Sequence, residues 1–298
     1  MRKLLLLLTS FCLFSPALWA RSVDLSASYI GGSDADQIKF GAEMPLSLNS
    51  VLGIEAKYLK DKFSSDNINH FKDPAYALAL PVRFNFDFIK INLKPFVYLK
   101  NKSNNSAFQD ASAYGISSRF LMTLQDDVVN DLYAHAFIGV SYAKQKGTLF
   151  TEEGASNQDF SQMAYTLGLH KNFYRAFSFE VAGNAFQYPD GITGVTAFRG
   201  VMDQQDLAQM YSYDIVRDLP KYTVGMRLSR LWEENLSSLY LSYRFGEFYT
   251  ADSEHSAIIG NSFMVLKNLT ADIGYNHIRT IHNENKRDIF YINLAVSF

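Results

Sequence analysis

The sequence predicts an all-β protein, a transmembrane antiparallel up-and-down β-barrel of about 14 strands, with 12 also compatible with the pattern. Three observations predict it. Apolar residues recur at every second position over segments of about ten residues, the period of a strand with one greasy face. Beyond the N-terminal region no run approaches 18 consecutive apolar residues, so helical spans are excluded; yet 15% of residues are aromatic, as girdles at both interfaces would need. Short connections alternate with mostly longer polar ones, as in barrels with tight turns at one rim and loops at the other.

The N-terminus reads Met1-Arg2-Lys3, an apolar run from Leu4 to Phe14, then Ser15 to Ala20. A basic start, a short apolar stretch and a small residue before the cut predict a secretory signal over residues 1–20 and a single barrel domain over 21–298, with no plug domain in front. Cys12 lies inside the signal, so the mature chain is expected to hold no disulfide and no cysteine metal site. Removing Arg2 and Lys3 leaves 26 basic against 30 acidic residues, a net charge of −4, which argues against nucleic acid as a partner.

The strands fall near 22–30, 37–46, 50–60, 75–87, 90–100, 112–124 and 131–144, then 161–172, 175–188, 220–231, 237–250, 256–266, 268–280 and 288–298. Tyr76, Leu78, Leu80, Val82, Phe84 and Phe86 alternate with Ala77, Ala79, Pro81, Arg83 and Asn85. Leu239, Leu241, Tyr243 and Phe245 alternate with Tyr240, Ser242, Arg244 and Gly246. Short turns fall at 47–50, 87–90, 125–131, 172–176, 233–236 and 267–268. The longer connections are 60–74, 101–111, 145–160, 190–219 and 282–287.

Assigning the greasy faces to lipid turns Asp24, Lys39, Glu43, Glu55, Lys57, Arg83, Lys94, Arg119, His135, His170, Glu180, Arg227, Arg244 and Asp272 inward. Unpaired buried charge costs several kcal/mol, so these groups must pair or meet water. They are read as pore-lining; stiffening of the wall by ion pairs fits the same residues. In the long outer loop 190–219, Leu207, Tyr211 and Ile215 share one face of a short helix that could form a constriction against wall residues such as Phe186. Asp203, Asp206 and Asp214 would then bias the path toward cations, whereas a plain surface loop fits the segment as well.

Catalytic signals are weak. His135 and His170 face inward on adjacent strands, but no HExxH, GxSxG, phosphate-loop or dinucleotide motif occurs. No enzyme activity, cofactor or metal is expected.

Phe290, Ile292, Leu294, Val296 and Phe298 alternate with Tyr291, Asn293, Ala295 and Ser297 up to a terminal aromatic. This ending resembles the C-terminal insertion signal of bacterial outer-membrane β-barrel proteins as a class. The resemblance implies an outer-membrane location, with lipid, lipopolysaccharide and the barrel-assembly machinery as partners; the order of short and long connections fits both termini lying on the periplasmic side, which requires an even strand count. The function expected is a porin-like channel passing small polar solutes through a charged lumen. An outer-membrane enzyme acting on lipid or lipopolysaccharide, and a structural or adhesive barrel with a closed lumen, fit the same sequence.

Overall fold

The structure, a computed structural model, describes residues 22–32, 35–61, 74–102, 108–127, 132–151, 154–173, 176–192, 200–201, 215–216, 219–232, 237–249, 251–281 and 286–298. The strands are β1 (Asp24–Gly32), β2 (Ala35–Ser47), β3 (Ser50–Asp61), β4 (Pro74–Ala79), β5 (Val82–Asn85), β6 (Ile89–Lys102), β7 (Phe108–Asp127) and β8 (Leu132–Thr151). There follow β9 (Gly154–Phe173), β10 (Phe177–Gln187), β11 (Gly200–Val201), β12 (Ile215–Val216), β13 (Pro220–Trp232), β14 (Ser237–Phe248), β15 (Glu254–Leu266), β16 (Leu269–Thr280) and β17 (Lys286–Ser297). Each wall strand pairs antiparallel with its sequence neighbour, and β1 closes the ring on β17 from Asp24↔Ser297 to Gly32↔Ile289. With β4 and β5 sharing one wall position and β11–β12 forming a separate ribbon, the barrel has 14 strands. Closure removes the open edges that a flat sheet would present.

Outward residues are apolar because the alternation leaves them no partner except solvent or lipid. Leu167, Phe290, Ile138 and Leu241 are all more than half exposed. Phe290, Ile292, Leu294 and Phe298 point outward in the same way, and Val296 is half-buried on that face. Phe298 exchanges backbone hydrogen bonds with Val23, so the end of the chain is sewn to its first strand. Eight-stranded barrels are filled by their own side chains and 16- to 18-stranded ones leave an aqueous channel; 14 lies toward the second class.

The structure corrects four local expectations. The strand expected over 75–87 is split at Leu80 and Pro81, because Pro81 has no N–H for the ladder. The register continues unchanged across the break, from Ala79↔Phe96 to Val82↔Leu93, and the Pro81 carbonyl still accepts from Gly53 N at 2.7 Å. The connection expected over 145–160 is mostly ladder: β8 and β9 stay paired to Thr151↔Gly154. β6 and β7 likewise run into the stretch 101–111, and β7 continues to Asp127 within the turn expected at 125–131. Past the apolar outer band both faces of a hairpin can meet water, so polar residues such as Gln145 and Lys146 can continue a strand without apolar alternation. Finally, Ile215 lies in β12, paired with Val201, not on a helix; Leu207, Tyr211, Asp203, Asp206 and Asp214 lie outside the described residues, as do residues 1–20.

The described ends of the long connection are anchored on the wall. The Tyr188 hydroxyl donates to the Pro220 carbonyl at 2.7 Å, and Ser161 N donates to Asp190 Oδ2 at 2.7 Å. Gly191, at φ 77°, closes a turn whose N–H meets the Tyr188 carbonyl at 3.0 Å. Phe160 stacks on Tyr188 at 5.4 Å, over a fully buried Leu219. Burial there holds the Tyr188 phenol well above its ordinary pKa.

Candidate functional site

Strand parity decides which side chains reach the lumen, and the exposed apolar residues fix that parity on each strand. On β2 and β3 the outward Phe40 and Ile54 leave Lys39, Glu43, Glu55 and Lys57 inward. On β7 and β13 the outward Phe120, Met226 and Leu228 leave Arg119 and Arg227 inward. Glu43, Glu55, Lys57, Arg83, Lys94, Arg119, His135, His170, Glu180, Arg227, Arg244 and Asp272 all lie on this face. Asp24 sits at the lower rim opposite Glu43.

The residues then gather by sector. In β2–β6, Arg83 pairs with Glu43 across Gly53, where a side chain would crowd both Glu43 and Pro81. Glu55 is shared by Lys94 at 2.8 Å and Lys57 at 3.7 Å. On β8–β10, His135 and His170 are direct cross-strand neighbours with rings stacked at 4.7 Å, and Tyr133 also stacks on His170, at 5.7 Å. His170 Nδ1 lies 3.3 Å from Glu180 Oε2. Among the described residues no hydroxyl is hydrogen-bonded to either imidazole.

On β13–β17, Asp272 accepts from Tyr240 at 2.6 Å and from Asn293 at 3.3 Å, and Tyr240 is also bonded to Tyr291. Arg244 lies 3.7 Å from Glu254, which is also paired with Arg287. Beside them, Ser256 donates to Asn276 at 2.6 Å, both fully buried. Between sectors runs a relay: Thr166 donates to Asn184 at 2.6 Å, and Asn184 to Thr223 at 2.9 Å.

Glu254 and Arg287 were missed by the sequence reading for one reason. The sequence expects their strands to start at 256 and 288, each two residues late, and extending the alternation captures both. The tyrosine pair carried no such signal, because Tyr240 and Tyr291 sit on strands three positions apart and meet only because each ring lies across a glycine of an intervening strand, Gly260 and Gly274.

Away from the rims, the inward cations are Lys39, Lys57, Arg83, Lys94, Arg119, Arg227, Arg244 and Arg287. The inward carboxylates are Glu43, Glu55, Glu180, Glu254 and Asp272, so cations outnumber them. Clusters of three or more potential metal ligands do not occur among the described residues.

No protein-family model matches the sequence, and no curated protein matches it. Solved structures with the same fold do exist. CdiB from Acinetobacter baumannii aligns over 93% of this chain with 8% identity and a TM-score of 0.53; this chain spans 60% of the CdiB length. A CymD monoaromatic hydrocarbon channel aligns over 93% of this chain and 88% of its own, at 8% identity and a TM-score of 0.50. OprB from Pseudomonas putida aligns over 93% and 94%, at 8% identity and a TM-score of 0.46. On the first two likenesses, the chain shares the fold of outer-membrane β-barrel proteins.

Proposed function

We propose that this barrel sits in a bacterial outer membrane, both termini periplasmic, and passes small polar solutes through its lumen. The observation that carries the reading is a wall apolar outside and ionic inside, with inward charges still open to solvent. The side chains of Arg83 and Glu43 are 42% and 31% exposed although they form an ion pair on the lumen face. Charged groups left accessible in this way need water, and an aqueous lumen supplies it at little cost. The orientation is supported by the tight turns 48–49 and 267–268, which share a rim with both chain ends, whereas the connection 188–219 leaves the opposite rim.

The test is single-channel conductance of refolded protein in a planar bilayer. Discrete steps that scale with salt are expected. A correctly folded barrel that never conducts would reject the channel and leave a closed structural wall. Lipopolysaccharide and the assembly machinery are proposed as partners on the same reading; deleting Phe298 is expected to lower the yield of folded, membrane-embedded protein.

A further inference from the structure

Two arginines in the wall are held by one three-strand arrangement used twice. Arg119 on β7 faces Gly139 on β8; Phe137, two residues earlier on β8, directly faces Gly168 on β9. Arg227 on β13 faces Ser242 on β14; Tyr240, two residues earlier on β14, directly faces Gly260 on β15. The register is the same in both. In each, a Cβ on the glycine would overlap the ring, so only glycine lets the aromatic lie against the neighbouring strand. The guanidinium then covers the other side, 4.0 Å from the Phe137 centroid and 3.7 Å from the Tyr240 centroid. Each ring is clamped between backbone and cation.

This clamp does two things. It draws the ring back against the wall and out of the bore. It also restrains a guanidinium that would otherwise sample many rotamers, so less entropy is lost when it meets a ligand. Both arginines stay half-buried. Among the described residues, no carboxylate lies within salt-bridge distance of Arg227. Its cross-strand neighbour Glu180 meets His170, and Asp272 is taken by Tyr240 and Asn293. Glu43, Glu55 and Glu254 are likewise engaged by cations elsewhere on the wall.

We propose that Arg119 and Arg227, seated on Phe137 and Tyr240, are paired contact points for solutes bearing an oxyanion, a carboxylate or a phosphate, and that the lumen favours anions. A planar guanidinium can meet either group through two parallel hydrogen bonds, which a lysine ammonium cannot. The proposal deepens the channel reading and rests on it.

The experiment measures reversal potentials across a potassium chloride gradient, then block of chloride current by gluconate and by inorganic phosphate, with glucose as the neutral control. The wild-type barrel is expected to prefer chloride, and Arg227→Gln and Arg119→Gln each to lower that preference on the order of twofold. Arg227→Lys should keep the chloride preference but lose block by the oxyanions. Block by gluconate, by phosphate or by both identifies the group recognised. Gly260→Ala should displace the Tyr240 ring into the bore and reduce conductance; Tyr240→Leu, which removes the ring, should not. A cation-preferring wild type, or both glutamine variants unchanged in selectivity and block, overturns the proposal. A wild type that does not conduct overturns the channel reading alone. Calorimetry on the solubilised barrel then decides the arginine pair: gluconate or phosphate binding lost in Arg227→Gln supports it, and no binding overturns it.

Discussion

The Arg83–Glu43 pair in the β2–β6 sector and the Arg244–Glu254 pair in the β13–β17 sector have the same chemistry on the same face, with opposite exposure. Arg83 and Glu43 are 42% and 31% exposed; Arg244 and Glu254 are 0% and 5% exposed. The neighbours explain part of the difference. Arg83 faces Val51, one residue from the start of β3 at the 48–49 turn, so its pair with Glu43 lies close to an open rim. Around Arg244 the inward residues are Tyr240, Ile258, Ile278, Ile289 and Tyr291, which join Ile30 and Leu59 in one apolar cluster. An identical charge pair is therefore a lining group in one sector and a wall tie in the other, and what surrounds it makes the distinction.

The sharpest way to break this comparison is to remove one carboxylate from each sector. Glu254→Gln leaves two arginines without their shared buried partner, and loss of about 3–5 kcal/mol of unfolding free energy is expected, read by urea denaturation in detergent. Glu43→Gln should cost no more than about 1 kcal/mol, because the pair it breaks is solvated. Equal losses would mean that both sectors are dry.

Next in size is Tyr240→Phe, which deletes the hydrogen bonds to Asp272 and Tyr291 while keeping the ring against Gly260. A hydrogen bond to a charged group is worth about 1.5–3 kcal/mol, so a loss in that range is expected by the same denaturation measurement. A neutral result would show that the tyrosine pair fills space and does not tie the wall.

Accessibility sharpens the comparison without depending on stability. With Cys12 replaced by Ser, Arg83→Cys should react quickly with a small water-soluble thiol reagent and Arg244→Cys slowly. Similar rates would erase the distinction between the sectors.

The smallest effect lies where β8 and β9 project beyond the span. The Lys144 ammonium, 2.8 Å from Asp159, holds that carboxyl below its ordinary pKa. A depressed carboxylate contributes stability that is present above the unfolded pKa and lost as pH falls through the lower folded value. Nuclear magnetic resonance titration of Asp159 should show the depression, and Lys144→Ala should restore an ordinary value with little change in stability, since the pair is exposed.

The alternation of Phe290 to Phe298, of Tyr76 to Phe86 and of Leu239 to Gly246 was enough to read the barrel and the parity of its strands, but it left the count between 12 and 14. Period-two patterning is local, and one apolar outer face enforces it on every strand of the wall. Where lipid no longer constrains the chain, the pattern fell silent: the extension of β8 and β9 past Gln145 and the β11–β12 ribbon at Ile215 were both misread. Glu254 and Arg287 were lost with the uncertain strand ends. What the sequence alone determined is therefore the face of each side chain, because that depends only on position along a strand. What the tertiary structure decided is the company each side chain keeps. Glu55 between two lysines, Arg227 on a ring seated over Gly260, and Arg244 buried while Arg83 stays wet all depend on the register between strands and on the curvature that brings distant strands together, and neither is written in any one strand.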